Sequence, residues 1–253
     1  MVRGLYSAAA GVFSQQKALN VISNNIANAS TVGFKSQTTV ESSFGEHLVA
    51  RLHSPDDNRN RTVGTGAFIT INGAEYIDFS QGVIEGTGRS QDLAIQGEGF
   101  FLIESETYGE VLTRSGQFEM DEDSDLVLPG VGKVLNDNRN TIRLKSSDFT
   151  VTSDGAILEN GKETDTLFIG MPNQGAVLEG TGEGLYFSQD GYRKADTENY
   201  QLVQEALEKS NTNIVREMSR IIAGQNNYQS CIQVIKMNDK INEITVNQIG
   251  RIG

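Results

Sequence analysis

Apolar side chains near the two ends of this chain recur at intervals of three and four, whereas those between them recur at short, turn-punctuated intervals. In the first segment the series runs Leu5, Ala8, Val12, Gln15, Leu19, Ile22, Ile26. In the last it runs Ile214, Met218, Ile221, Gln225, Tyr228, Ile232, Ile235, then slips one position near Asp239 and continues through Val234, Met237, Ile241 and Ile244. A mean spacing of about 3.5 keeps one apolar seam facing a neighbouring helix over many turns, so both segments are predicted to be helices that pair. Each seam contains Ala or Gln and is thin. Burying one Leu, Ile or Met returns about 1.5–3 kcal/mol, against roughly 1–2 kcal/mol per residue of backbone ordering. Two such helices paired only with each other are marginal, and further partners, within the chain or between copies, are expected.

The middle of the chain has a different texture. Thr65–Gly73 alternates with a period near two, and the run from Asp92 to Ile103 predicts a strand, a turn containing Gly97 and Gly99, and a second strand. Val111–Arg114, Gly116–Met120 and Leu126–Leu128 continue the pattern. Turn pairs follow at Pro129-Gly130, Asp154-Gly155, Asn160-Gly161 and Asp190-Gly191. All three prolines, at positions 55, 129 and 172, avoid the terminal segments. The predicted class is α+β, with N- and C-terminal helices paired as a coiled-coil-like domain and an all-β domain inserted between them. The expected organisation is an N-terminal helix in 1–35, an extended linker in 36–75, a β-rich domain in 76–204 and a C-terminal helix in 205–253. The polar run 54–62 reads as an exposed loop.

Composition narrows the partners. With 33 acidic and 21 basic residues the net charge is −12, which disfavours nucleic acid and anionic membrane, because both need a basic face. No stretch approaches eighteen apolar residues, so no membrane insertion is expected. The single cysteine, Cys231, precludes an intramolecular disulfide and reads as an inert thiol in the last helix. The short apolar opening, Met1 to Phe13, merges into the helical seam and does not read as a cleaved secretory signal.

Candidate chemistry fails on spacing. Asp121, Asp123 and Asp125 match the first three ligands of a calcium loop, but Leu126 and Gly132 stand where Gly and Glu are required, leaving a solvated hairpin loop as the expectation. His47 and His53 lie outside any zinc pattern. The glycine pairs never extend to a phosphate loop, and no GxSxG elbow presents a serine. No cofactor, metal site or catalytic residue is expected, and the chain does not read as an enzyme.

Three stretches carry a resemblance. Asn24-Asn25-Ile26-Ala27-Asn28-Ala29-Ser30-Thr31-Val32-Gly33-Phe34-Lys35 ends the first helix: Asn and Ser compete for backbone hydrogen bonds, and Gly33 suits a left-handed turn. Arg89–Phe101, with Gly97, Gly99, Phe100 and Phe101, is followed by Thr113–Phe118. Leu207 to Asn213, including Ser210 and Asn211, enters the last helix with Asn213 as its natural N-cap. In this order the three closely resemble the signatures of bacterial flagellar rod and hook axial proteins. Departures are modest: Gln91 stands where Leu is frequent, and Asn226-Asn227 replaces a usual Arg-Ala.

The resemblance implies a structural subunit of the basal-body rod. Copies would form a helical homopolymer through the terminal helices, giving a hollow shaft that transmits torque to the hook and encloses the export channel. The implied assembly residues are Leu5, Val12, Leu19, Ile22, Ile26, Ile214, Met218, Ile221, Tyr228, Ile232, Ile235, Met237, Ile241 and Ile244. Implied partners are other rod proteins, hook protein and the flagellar export apparatus, with surrounding ring proteins as candidates. The implied location is the basal body, reached by export without signal cleavage. Length fits a rod protein better than a hook-type axial protein. Rival readings are a secreted β-rich adhesin or enzyme with helical ends, and a cytosolic coiled-coil adaptor.

Overall fold

The computed structural model describes residues 2–51, 61–146, 149–173, 178–181, 184–188 and 190–249. The expected loop at 54–62 and His53 fall largely or wholly outside them. The chain divides into two compact units: residues 1–26, 37–76 and 214–253 form one, and 27–36 with 77–213 the other.

In the first unit, helix α1 (Val2–Ala27) and helix α2 (Ile214–Ile249) accompany a two-stranded sheet of β1 (Gln37–Arg51) and β2 (Arg61–Ile77). Where an extended linker was expected, two long paired strands are found. Helix α2 begins directly after Asn213, as an N-cap there requires.

The second unit is built of short strands: β3 (Ile84–Gly86), β4 (Leu93–Gly97), β5 (Phe100–Ser105), β6 (Gly109–Thr113), β7 (Glu119–Met120), β8 (Leu126–Leu128) and β9 (Gly132–Val134). These are followed by β10 (Thr150–Val151), β11 (Ala156–Glu159), β12 (Lys162–Thr166), β13 (Ile169–Pro172), β14 (Leu178–Gly180) and β15 (Leu185–Ser188). Last come β16 (Tyr192–Lys194), β17 (Tyr200–Gln204) and β18 (Ala206–Glu208). Residues 206–208, expected within the C-terminal helical segment, are therefore a strand, and they pair antiparallel with β3.

The main sheet has the order β14-β15-β6-β5-β9-β8-β7, with β13 pairing both β5 and β16. Strand β5 sits at its centre, and its apolar run is explained by burial on both faces. Phe101 and Ile103 enter one core with Leu93, Ile95 and Phe118, while Phe100 and Leu102 enter a second with Ile77, Leu112 and Tyr186. The strand-turn-strand reading of 92–103 holds, but its strands separate: β4 pairs with β17 and β5 with β6. Gly97 and Gly99, at φ 106° and 121°, supply the conformation that divides them. Asn160 and Gly161, both at positive φ, close the β11–β12 hairpin with the geometry their dipeptide predicts.

Candidate assembly surface and signature cluster

In the helical unit, α1 and α2 approach closely at two glycines. A Cβ on Gly224 would stand 2.9 Å from Leu19 Cδ2, and one on Gly11 would stand 3.0 Å from Cys231 Sγ. Around these contacts the predicted positions divide. Leu5, Val12, Leu19, Ile22 and Ile26 are half-buried, as are Ile221, Tyr228, Ile232 and Ile235. Ile214, Met218, Met237, Ile241 and Ile244 remain 45% to 57% exposed. Val215, Ile222 and Val246 are exposed as well. Uncovered apolar side chains therefore cluster toward the two ends of α2, at 214–222 and 234–246.

Asn25 ends this helical region with a specific device. Its side chain is 1% exposed; Nδ2 donates to the Gln37 carbonyl at 2.7 Å and Oδ1 accepts from the Gln37 N–H at 2.9 Å. One amide thus occupies both backbone groups at the start of β1, as a neighbouring strand would. Asn24 is half-buried.

In the β unit the remaining signature residues form a turn and a charged cluster. Asn28 Oδ1 accepts from the Thr31 hydroxyl, and the Asn28 carbonyl from the Thr31 N–H. Gly33 follows at φ 69°. Its N–H donates to the Glu208 carbonyl at 2.8 Å, and a Cβ at Gly33 would lie 2.4 Å from the Arg114 carbonyl carbon and the Ser115 nitrogen. Glycine is required twice over here, for conformation and for room.

This turn delivers Phe34 and Lys35 to the interior, each 1% exposed. Lys35 Nζ donates to Glu208 Oε1 at 2.7 Å and to the Ser80 carbonyl at 2.8 Å. The same Glu208 oxygen accepts the Gly82 N–H at 2.8 Å, while Arg114 Nη1 approaches Oε2 at 3.3 Å. Arg114 Nη2 donates to the Gly97 carbonyl at 2.8 Å, and its guanidinium stands 5.1 Å from the Phe100 ring centroid. Tyr186 Oη accepts the Lys35 N–H at 3.2 Å and packs edge-on to Phe100 and Phe79. Asn211 completes the cluster: Oδ1 accepts the Ser36 N–H at 2.8 Å, and Nδ2 donates to the Asp78 and Ser80 carbonyls. Ser210 donates to the Thr212 hydroxyl beside it.

Two cations share one carboxylate out of water. Burial lowers the pKa of Lys35 and of Arg114, with Glu208 pulling both back up. Burial likewise drives the Tyr186 phenol well above its ordinary range, so it stays neutral. Charges this deep persist only when paired and hydrogen-bonded. The arrangement holds three distant segments together and offers no free nucleophile or base.

Gly33, Lys35, Gly97, Phe100 and Asn211 are thus gathered around Glu208, whereas Phe101 turns to the opposite core against Phe118, with ring centroids 5.1 Å apart. Gly99 faces Ile169 Cγ2, which a Cβ would meet at 2.5 Å. Glu208 and Arg114 are absent from the predicted site residues. Their only signal in the sequence was a place inside two of the resembling motifs.

One member of the acidic triplet departs from its expected solvation, while Asp123 is exposed as expected. Asp121 Oδ1 accepts the N–H groups of Asp123 and Asp125, but the Asp125 carboxylate is buried and paired with Lys133 at 2.7 Å and Arg143 at 3.0 Å. Strand β9 and the following segment bring the two cations over it, so Asp125 is a structural anion. Among the described residues no group of His, Cys, Asp and Glu is placed to hold a metal, and no helix is long and apolar enough to cross a membrane.

Residues 5–35 match the family described as Flagella basal body rod protein, residues 203–249 the Flagellar basal body rod FlgEFG protein C-terminal family, and residues 94–159 the Flagellar hook protein FlgE/F/G D1 domain. The chain is 31% identical to the flagellar basal-body rod protein FlgG of Bacillus subtilis, over 98% of this chain and 99% of that protein. It is 27% identical to the rod protein FlgF of Caulobacter vibrioides, over 100% and 99% respectively. A further likeness, 35% identity to the hook protein FlgE of Helicobacter mustelae, covers 59% of this chain and 34% of that protein. The chain belongs to the flagellar basal-body rod proteins, a family of structural proteins and not of enzymes.

Proposed function

We propose that this member of the rod family is a subunit of the flagellar basal body that polymerises helically through α1 and α2, forming the hollow shaft that transmits torque to the hook and encloses the export channel. The observation that carries the reading is the uncovered apolar surface of α2. Ile214, Met218, Met237, Ile241 and Ile244 are already about half covered, so completing their burial against neighbouring copies would return roughly half of the 1.5–3 kcal/mol of a full burial, about 1 kcal/mol each, a gain that a lone chain forgoes. In this reading the seams of α1 and α2 pair as a coiled-coil-like layer, and each helix also contacts helices of adjacent subunits. The β unit, closed by its buried charges, decorates the outside. Other rod proteins and hook protein continue the shaft, the export apparatus delivers the chain without signal cleavage, and ring proteins surround it.

Electron microscopy of the purified chain across a concentration series, with fractionation of flagellated cells beside it, tests this. Rods or filaments, and recovery in the basal-body fraction, are expected. A monomer at every concentration, absent from that fraction, would overturn it.

A further inference from the structure

A groove of about 260 Å³ opens in the helical unit, lined by α1, the start of β1 and α2. Its apolar lining includes Ala18, Val21, Ile22 and Ala223, and Gln15 and Arg220 contribute polar groups. A cavity of roughly 150 Å³ is enough to admit a benzene ring, so this one admits an aromatic side chain. Arg220 lines the groove while its Nη1 donates to Glu217 Oε1 at 3.0 Å, and a guanidinium against an aromatic face is favourable.

The same unit carries a largely exposed aromatic side chain. Phe13 is 72% exposed, and Tyr6, seven residues earlier on the same face of α1, is 64% exposed. At about 100° per residue, Ala18 and Ile22 lie roughly 140° and 180° around α1 from Phe13. Phe13 therefore points away from the groove of its own chain. A projection on one face and a recess on the other make a contact between unlike surfaces, which propagates from copy to copy instead of closing on a dimer.

We infer that Phe13 of one copy seats in this groove of the next, with Arg220 against its ring. The inference rests on the polymerisation proposed above and assigns the contact that sets how successive subunits follow one another. Buried aromatics in a recess dominate interfaces of this kind.

Disulfide trapping decides it. Cys231 is the only native thiol, so Cys231→Ala gives a clean background for Phe13→Cys with Ala223→Cys. Mild oxidation of material assembled at a concentration raised to offset the missing Phe13 ring should give a ladder of covalent multimers, absent from dilute monomer and from either single cysteine. Phe13→Ser should raise the concentration needed for assembly roughly tenfold or more, without changing the monomer's melting temperature. Ala223→Phe, which fills the groove from within, should do the same. Filaments that form at the parental concentration with Phe13→Ser, together with no ladder from the double-cysteine chain, would overturn the inference while leaving polymerisation standing. Failure of the parental chain to assemble at all would overturn both. Should Phe13→Ser unfold the monomer, the ladder and Ala223→Phe still decide.

Discussion

Lys35 Nζ lies 2.7 Å from Glu208 Oε1, joining residues 173 positions apart with side chains that are 1% and 0% exposed. A pair this deep repays its desolvation only through close geometry and satisfied hydrogen bonds, and removing one partner leaves an uncompensated charge. Glu208 serves Arg114 as well. Lys35→Met should therefore cost about 3–5 kcal/mol in urea unfolding. Glu208→Gln should cost more, because it orphans two cations; equal losses would mean that Arg114 does not depend on Glu208.

Gly33 guards the approach to that pair. At φ 69°, with backbone of Arg114 and Ser115 where a Cβ would stand, an added methyl group must move one segment or the other. Gly33→Ala should lose at least ~2 kcal/mol, the strained conformation alone accounting for about 1–3 kcal/mol. Gly161→Ala, also at positive φ but with open space around its Cβ position, isolates the conformational part and should lose less. Comparison of the two variants by chemical denaturation checks both.

These cases mark where local sequence is informative. Gly33 and Asn160-Gly161 announce their backbone geometry because the constraint resides in the residue itself. The apolar run Phe100–Ile103 likewise announces a strand covered on both faces. Pairing across distance is different: nothing near Glu208 signals Lys35, and a glutamate among Leu207, Lys209 and a following helix reads as helical surface. Its strand identity comes from the partner β3, more than a hundred residues away. Asp125 reads as solvated for the same reason, since Lys133 and Arg143 reach it only through strand pairing. Asn25 lies between: its place in the signature is visible, but its bonds to Gln37 exist only once the chain has turned back.

Asp125 gives a pH signature. Burial opposes its ionisation, but hydrogen bonds and charge from Lys133 and Arg143 outweigh this and hold its pKa below the ordinary value. Below about pH 4, the range in which an unfolded Asp takes up its proton, the unfolded chain binds more protons than the folded one. Stability therefore rises with pH through this window and falls on acidification. Asp125→Asn should be less stable than the parent at pH 7 and show a shallower loss between neutral and acid pH. Parallel acid limbs for the two proteins would show that the pair contributes nothing.

The exposed side of α2 permits a separation that a half-buried position such as Ile221 does not. Met237 is 57% exposed and Ile244 45%, so a carboxylate at either place stays in water in the free chain. Substitutions at such sites commonly change folding stability by no more than about 0.5 kcal/mol. Between packed helices of adjacent subunits the same carboxylate would lose its water with no cation provided, at a cost of several kcal/mol. Met237→Asp and Ile244→Asp should thus leave the melting curve of the monomer unchanged while abolishing filaments in vitro and swimming in cells that depend on this chain. Rods of normal length from either variant would show that this side of α2 faces solvent in the assembly, and the apolar surface there would need another occupant.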